Sequence, residues 1–435
     1  MSALRSFFTS RSTIISLILL ALSAMLVGSF IPQAFLLTPA GLTKWHADYP
    51  RLASLAEKLG LTHIYTHPLF AIILLGIVIS LGCSCYEQLR RAIRLWKSGT
   101  GSESGMKILA DCSASEAGSI LRGHGYRQRG ERFVRHAAGY LGNSLMHVGM
   151  LMVIAASLWI ALFQQRGMIR IAEGDLFKPG DAWLSSERGL LAAPFVLDDA
   201  VRLDRVEYEY WPSHAVKKVA SHLAFISKDA TVIEKMTEIN SVLHHRGIRV
   251  YQGIDFGHAF FVVITSPDGR TSASQLLIEH QQTPDKAGYA DYENFIGPGK
   301  TLRVKYFAEV DHTSMAGKNP LLTMRLDEDG QEKGRISLTT GATGELAGYR
   351  VQLLESRRWS GFMFVRLSGI GAVFFGFGII CLGGALHYFT VPREASVQET
   401  VEGGAVIFWR ATRFTGFYLD EFEDLKREIG KEQHG

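Results

Sequence analysis

The sequence predicts an integral membrane protein of mixed α and β structure: four transmembrane helices, with a large β-rich extracytoplasmic domain between spans 3 and 4. Three observations predict it. Hydrophobic residues make up 47% of the 435, and they gather into four charge-poor runs. The stretch 164–366 has no such run and is rich in aromatic and β-branched segments. Basic residues are unequally distributed among the short flanks of the runs. These facts exclude an ordinary cytosolic enzyme and a fully embedded transporter. With 46 basic and 42 acidic residues the net charge is +4, which gives no footing for nucleic acid.

Residues 1–12 carry Arg5 and Arg11 and no acid, and read as a cytoplasmic N-terminus. Span 1 is 13–31, uncharged and closed by Pro32-Gln33; a bilayer core of about 30 Å needs roughly 20 helical residues. A cleaved signal peptide would have an apolar core of only about 7–15 residues before a small-x-small site. Ser29-Phe30-Ile31-Pro32-Gln33 is poor for cleavage, so span 1 is expected to be retained. Residues 32–67 form an extracytoplasmic loop with Lys44, Arg51 and Lys58, and 68–86 is span 2. The loop 87–139 is basic, with ten Lys or Arg against five acids. Span 3 is 140–163, interrupted only by Asn143, Ser144 and His147 near its start. Residues 164–366 follow outside. Span 4 is 367–389, and 390–435 is a cytoplasmic tail opening on Arg393. The orientation follows from the rule that Lys and Arg collect inside. The expected location is the bacterial cytoplasmic membrane, multi-pass, with both termini inside.

In the outer segment, Phe260 to Thr265 reads as a strand and Ser266-Pro267-Asp268-Gly269 as its turn. Leu322 to Leu326, a turn at 327–330 and Ile336 to Thr340 read as a second hairpin. Arg350 to Leu354 reads as a last strand, and Asp229 to Arg246 as more helix-like. An antiparallel sandwich or sheet is the expected outcome. In the tail, Leu419 to Ile429 reads as a short amphipathic helix with Phe422 and Leu425 on one side.

The four cysteines are Cys83, Cys85, Cys112 and Cys381. All fall in spans or on the cytoplasmic side, and none forms a Cys-x-x-Cys pair. That excludes a thiol–disulfide oxidoreductase acting outside. Cys83-Ser84-Cys85 reads either as packing at a helix end or as a metal or lipidation point; packing is the better reading. Walker, His-Glu-x-x-His, Gly-x-Ser-x-Gly and Cys-x-x-Cys-His motifs are all absent.

The remaining chemistry is histidine. His147 lies about two turns into span 3, with Asn143 and Ser144 on its face. An ionisable group in a span is costly and normally faces the bundle interior or a polar cavity. It reads as a metal or haem-iron ligand or as a ring hydrogen-bonded to a neighbouring helix. His67 opens span 2 four residues after His63; the following Pro68 disfavours the helix that would pair them. His387 near the end of span 4 suits a helix C-terminus. His67 and His387 are the weaker cofactor candidates. His244, His245 and His258 read as surface residues. Gly369, Gly376 and Gly383, spaced by seven in span 4, read as a helix–helix seam.

These elements, in this order, resemble the ResB/CcsB family of cytochrome c biogenesis proteins. Gly28-Ser-Phe-Ile-Pro32-Gln33 is similar to the family's Gly-Thr-x-Ile-Pro-Gln. The stretch from Leu59-Gly60-Leu61 to Tyr65 and Phe70 resembles its Leu-Gly-Leu-x-x-x-Tyr-x-Ser-x-Trp-Phe, although His67 and Leu69 replace its Ser and Trp. Cys83 falls where the family often has Cys. His147-Val148-Gly149 looks like its His-Leu-Gly, and Gly167 with Glu173-Gly174 its Gly and Glu-Gly after span 3. Glu238-Ile239-Asn240, Gly247 to Tyr251-Gln252 and Phe256-Gly257 resemble its outer-domain motifs.

The resemblance implies a System II subunit acting with a ResC/CcsA-type membrane protein to carry haem across the membrane and attach it to apocytochrome c. Haem b would be bound transiently as cargo, and a thiol-reducing membrane protein would be a further partner. The seven Trp are scattered, so the chain resembles the ResB-type half rather than a fused synthase. It would be a non-catalytic or haem-ligating subunit of a holocytochrome c synthase complex. The family's membrane histidine maps onto His147, with the second axial ligand from the partner and Arg90, Arg91 and Arg94 available to the propionates. The rival readings are a non-haem-binding scaffold, a membrane-tethered sensor or ligand-binding module, and, last, a membrane enzyme. The sensor would need a cytoplasmic output domain, and the loop and the tail each look too small for one.

Overall fold

The computed structural model describes residues 2–37, 39–98, 105–110, 112–315, 317–400 and 403–430, with the side chains of 2–4 and 39–40 left out. Parts of the predicted N-terminus, first outer loop, basic loop, outer domain and tail (Met1, Thr38, 99–104, Asp111, Ala316, 401–402 and 431–435) lie outside the described residues. The chain divides into two compact units. One joins Met1–Phe163 to Ser368–Gly435; the other is Gln164–Leu367.

The first unit contains nine α-helices among the described residues: α1 Ser2–Thr9, α2 Arg11–Phe30, α3 Pro39–Asp48, α4 Pro50–Lys58, α5 Pro68–Ser98, α6 Ala114–Gly123, α7 Gly142–Phe163, α8 Ile370–Phe389 and α9 Leu419–Ile429. Four of these, α2, α5, α7 and α8, are long and apolar enough to cross a membrane. Their leucines and phenylalanines are largely exposed, for example Leu26 at 60% and Phe374 at 70%. Helices apolar all round and uncovered by protein require lipid as solvent. Helix α5 runs 31 residues, well past the apolar run ending at Tyr86, because Arg90, Arg91, Arg94 and Lys97 are good helix formers that carry it into water. The predicted loop 32–67 holds α3, α4 and a 3₁₀ turn at Leu61–Thr66.

The basic loop and the tail, read above as too small to form a domain, fold together into one. Its antiparallel sheet runs Met106–Ala110, Ala405–Ala411, Arg393–Glu399, Arg132–Arg135, Arg127–Arg129. Helix α6, opened by a Ser113/Glu116 capping box, packs with α9 on this sheet. Their core contains Ile108, Leu121, Phe133, Ile407, Trp409, Phe422 and Leu425. Neither segment has enough apolar surface alone, and each supplies what the other must bury. At the centre, Trp409 Nε1 donates to Tyr126 Oη (2.6 Å), which donates to Glu421 (2.8 Å). Burial and the Glu421 charge push the Tyr126 phenol well above its ordinary pKa.

The second unit is β throughout its described residues. Two 18-residue strands, Ile248–Thr265 and Tyr349–Arg366, pair antiparallel at the centre of a seven-stranded sheet. One half of this pair packs Val250, Phe256, Phe362 and Phe364 with the sheet built on Ala200–Tyr210 and Val216–Ile226. The other half packs Phe260, Val262, Val351 and Leu353 with the sheet from Gly288–Glu293 to Gln331–Thr339. The result is two sandwich cores sharing one long central sheet. The expected hairpins occur as 248–265/271–279 and 321–328/331–339.

Asp229 to Arg246 is not helical. It forms strands Val232–Glu238 and Val242–His245. Asn240 turns the chain at φ 66°, a left-handed conformation that Asn tolerates. Pairing of Val232–Glu238 with Val216–Ile226 overrides the helix-leaning composition.

Candidate functional site

Helix α7 presents two unlike sides. On one, Gly142 and Gly149 meet Gly383 and Gly376 of α8. A methyl added at Gly149 would lie 2.7 Å from the Gly376 carbonyl oxygen, and one at Gly383 would lie 2.6 Å from the Met146 nitrogen. The glycine seam read in span 4 therefore closes on α7 of this chain, through a matching heptad on α7. Such close approach is what small residues provide where packing replaces the hydrophobic effect. Gly369 is the left-handed N-cap of α8, at φ 101°.

On the other side, Asn143 Nδ2 donates to Gln88 Oε1 of α5 (2.7 Å), and Gln88 Nε2 donates to Ser84 Oγ one turn earlier (3.0 Å). One turn along α7, His147 Nδ1 lies 2.9 Å from the main-chain oxygen of Asn143. A carbonyl only accepts, so Nδ1 carries the proton, and in the neutral ring Nε2 keeps its lone pair. The ring is half-buried. A histidine whose Nδ1–H is held by a carbonyl and whose Nε2 is bare has the form of a metal-ligating imidazole.

The other two candidates have the opposite form. Arg413 Nη1 donates to His387 Nδ1 (2.8 Å), and Arg413 Nη2 donates to the His387 and Gly139 carbonyls (2.9 and 3.3 Å). Because Nδ1 accepts, the neutral ring holds its proton on Nε2. His67 Nδ1 accepts from the Leu69 amide (3.2 Å), with the same consequence. The Gln88–Asn143 contact fixes the register of α5 and α7; His67 then lies about 30 Å along α5 from that level at 1.5 Å per residue. His387 is near Gly142, at the same end of the bundle as His147. His63 has non-helical dihedrals and is not in helical register with His67. No group of three potential metal ligands occurs among the described residues.

Sequence reasoning missed Gln88 and Arg413. A signal for Gln88 existed, since Ser84 and Gln88 sit four apart at the edge of an apolar run; none existed for Arg413. The reading of His245 and His258 as surface residues is corrected, as both are 5% exposed. His245 Nε2 lies 2.7 Å from Asp199 Oδ2 and its ring stacks on Phe225. His258 Nδ1 lies 3.1 Å from Tyr306 Oη, and desolvation, with the Arg358 charge, pushes its pKa down to about 3. Strand alternation aims these rings into cores that composition does not reveal.

The motifs that carried the resemblance form two structural locks. Gln33 Nε2 donates to the Leu61 carbonyl (3.1 Å), its Oε1 accepts from the Ile64 amide (3.2 Å), and Gly28 is packed under Ile64 and Tyr65. In the second unit, Glu173 accepts from the Val206 and Arg358 amides (2.8 and 3.3 Å), and Gln252 bonds Ser360.

Four helices long and apolar enough to cross a membrane, with a large β unit inserted before the last of them, define the class as a membrane protein with a β-rich domain. A model of the ResB-like family matches residues 11–409, and the chain belongs to that family. It is 24% identical over 418 residues to cytochrome c biogenesis protein CcsB of Microcystis aeruginosa, covering 89% of this chain and 87% of that protein. It is 25% identical to CcsB of Synechococcus sp. strain CC9605 over 99% and 98% of the two chains. It is 23% identical to the chloroplastic cytochrome c biogenesis protein CCS1 of Arabidopsis thaliana, covering 86% and 68%.

Proposed function

We propose that this chain is the ResB-type half of a cytochrome c biogenesis machine. It acts with a ResC/CcsA-type partner to take haem from the cytoplasmic side, pass it across the membrane and present it to apocytochrome c. His147 is an axial ligand to the haem iron in transit, and the second ligand comes from the partner. The N-terminus, the loop–tail domain and the C-terminus are cytoplasmic, on the positive-inside bias, and the β unit is outside. The observation that carries this reading is the His147 Nδ1–Asn143 carbonyl bond, which leaves Nε2 free. Family membership and the names of the relatives supply the pathway.

The test is the absorption spectrum of the purified chain, alone and with its partner, for wild type and His147→Ala. A Soret band that weakens in the variant and returns with added imidazole is expected. Equal haem in both proteins removes His147 from the mechanism. A colourless protein that cytochrome maturation still requires makes the chain a scaffold.

One observation favours a second reading. The loop and the tail fold into a real domain, so the objection to a membrane-tethered ligand-binding module no longer holds. In that case a ligand other than haem would bind without a Soret band.

A further inference from the structure

The loop–tail domain carries a cavity of about 460 Å³ that the function above does not use. It lies between the water-soluble end of α5 and the turn that enters α7. Trp96, Arg127, Arg129, Val134, Arg135 and His136 line it, and no acidic residue does. Arg135 is committed to Glu421 at 3.2 Å. Arg127 and Arg129 have no carboxylate partner among the described residues. Arg129 is held over the Trp96 ring, 5.2 Å from its centroid, so its guanidinium is positioned in advance of any ligand. Two left-handed turns, Gly125 (φ 82°) and His136 (φ 55°), shape the rim.

Uncompensated guanidinium groups around a cavity repel one another, and an anion relieves that cost. A free phosphate would fill only a fraction of this volume, which falls in the range of sites for larger organic ligands. Arginine also binds carboxylates in a bidentate manner. Trp96 continues the row Gln88, Ala92 on α5, and Gln88 holds Asn143 one turn from His147. The cavity is therefore about 18 Å along the bundle axis from His147 at 1.5 Å per residue, too far for one haem to occupy both.

We propose that this cavity is a receiving site for haem, which it grips by its two propionates through Arg127 and Arg129 before the iron reaches His147. The proposal rests on the haem reading above.

The test uses the full chain in phosphatidylcholine nanodiscs, titrated with hemin and with hemin dimethyl ester, whose propionates are uncharged. The proteins are wild type, R127Q/R129Q, R127K/R129K and His147→Ala. The expected result is about tenfold weaker hemin binding by R127Q/R129Q, corresponding to about 1.4 kcal/mol, partial recovery in R127K/R129K, and no difference between wild type and the two arginine variants for the ester. Hemin affinity that is equal in wild type and R127Q/R129Q, or an equal loss with the ester, overturns the proposal. So does a variant that binds hemin normally but retains less phosphatidylglycerol from mixed nanodiscs, which would make the cavity a lipid site. A His147→Ala spectrum identical to wild type would instead sink the axial-ligand reading while leaving arginine-dependent binding intact.

Discussion

The two sides of α7 show what a membrane helix can do with different residues. The side that meets α8 is made of glycine against glycine, leaving no room for even a methyl group. The side that carries Asn143 and His147 meets α5 through side-chain amides. Close backbone contact holds the bundle; a polar, looser contact leaves an imidazole nitrogen unused. A histidine on the glycine side would have been crushed or buried, and one on a lipid-facing side would have been unaffordable.

The largest expected effect breaks the tight side. Gly376→Leu should cost about 3 kcal/mol or more through overpacking, because Val153 and the Gly149 carbonyl already lie 2.8 and 3.0 Å from where its Cβ would be. Gly378→Leu, two residues on in the same helix and facing open space, should stay within about 0.5 kcal/mol. Thermal unfolding of the two variants in one detergent checks this, and equal losses would abolish the distinction between the sides.

A second experiment sharpens what is peculiar to His147. His258 differs from it in being enclosed by protein, and burial keeps its ring uncharged. Its folded pKa is about 3 against an ordinary 6.5. Between those values the unfolded chain binds a proton that the folded chain refuses. Stability is therefore full above about pH 6.5 and falls on acidification by up to about 1.4 kcal/mol per pH unit. Urea unfolding at pH 7, 6 and 5 should show this slope in wild type and a shallower one in His258→Phe. Identical slopes would contradict it.

The smallest effect separates packing from chemistry on the polar side. Asn143→Ala removes the bond to Gln88 and should cost about 1 kcal/mol. The bond to His147 comes from the main chain, so it survives and the haem spectrum should not change. A changed spectrum would mean that the Asn143 side chain, not its carbonyl, sets the His147 site.

Much of this was legible in the sequence, and the limits have physical causes. The apolar runs reported the four helices because a lipid-suited helix is a local property of about 20 residues. His147 stood out because an ionisable group is rare in such a run. The hairpin at 266–269 was legible from its turn residues. The helix-like reading of Asp229 to Arg246 failed because the partner strand, not local composition, decided its state. His245 and His258 were misplaced because the period of a strand shows which residues share a side but not which side is covered.

The sequence by itself determined the spans, the family resemblance and the choice of His147, His67 and His387 as the histidines to examine. Only the tertiary structure separated these three, because a ring's tautomer depends on what its other nitrogen meets: a carbonyl for His147, a guanidinium for His387, an amide for His67. Only tertiary structure, too, joined the loop and the tail. Met106 pairs with Trp409 across about 300 residues of chain, and no local pattern records a strand's partner at that distance, because the pairing is fixed by which apolar faces remain to be buried once the spans are in place.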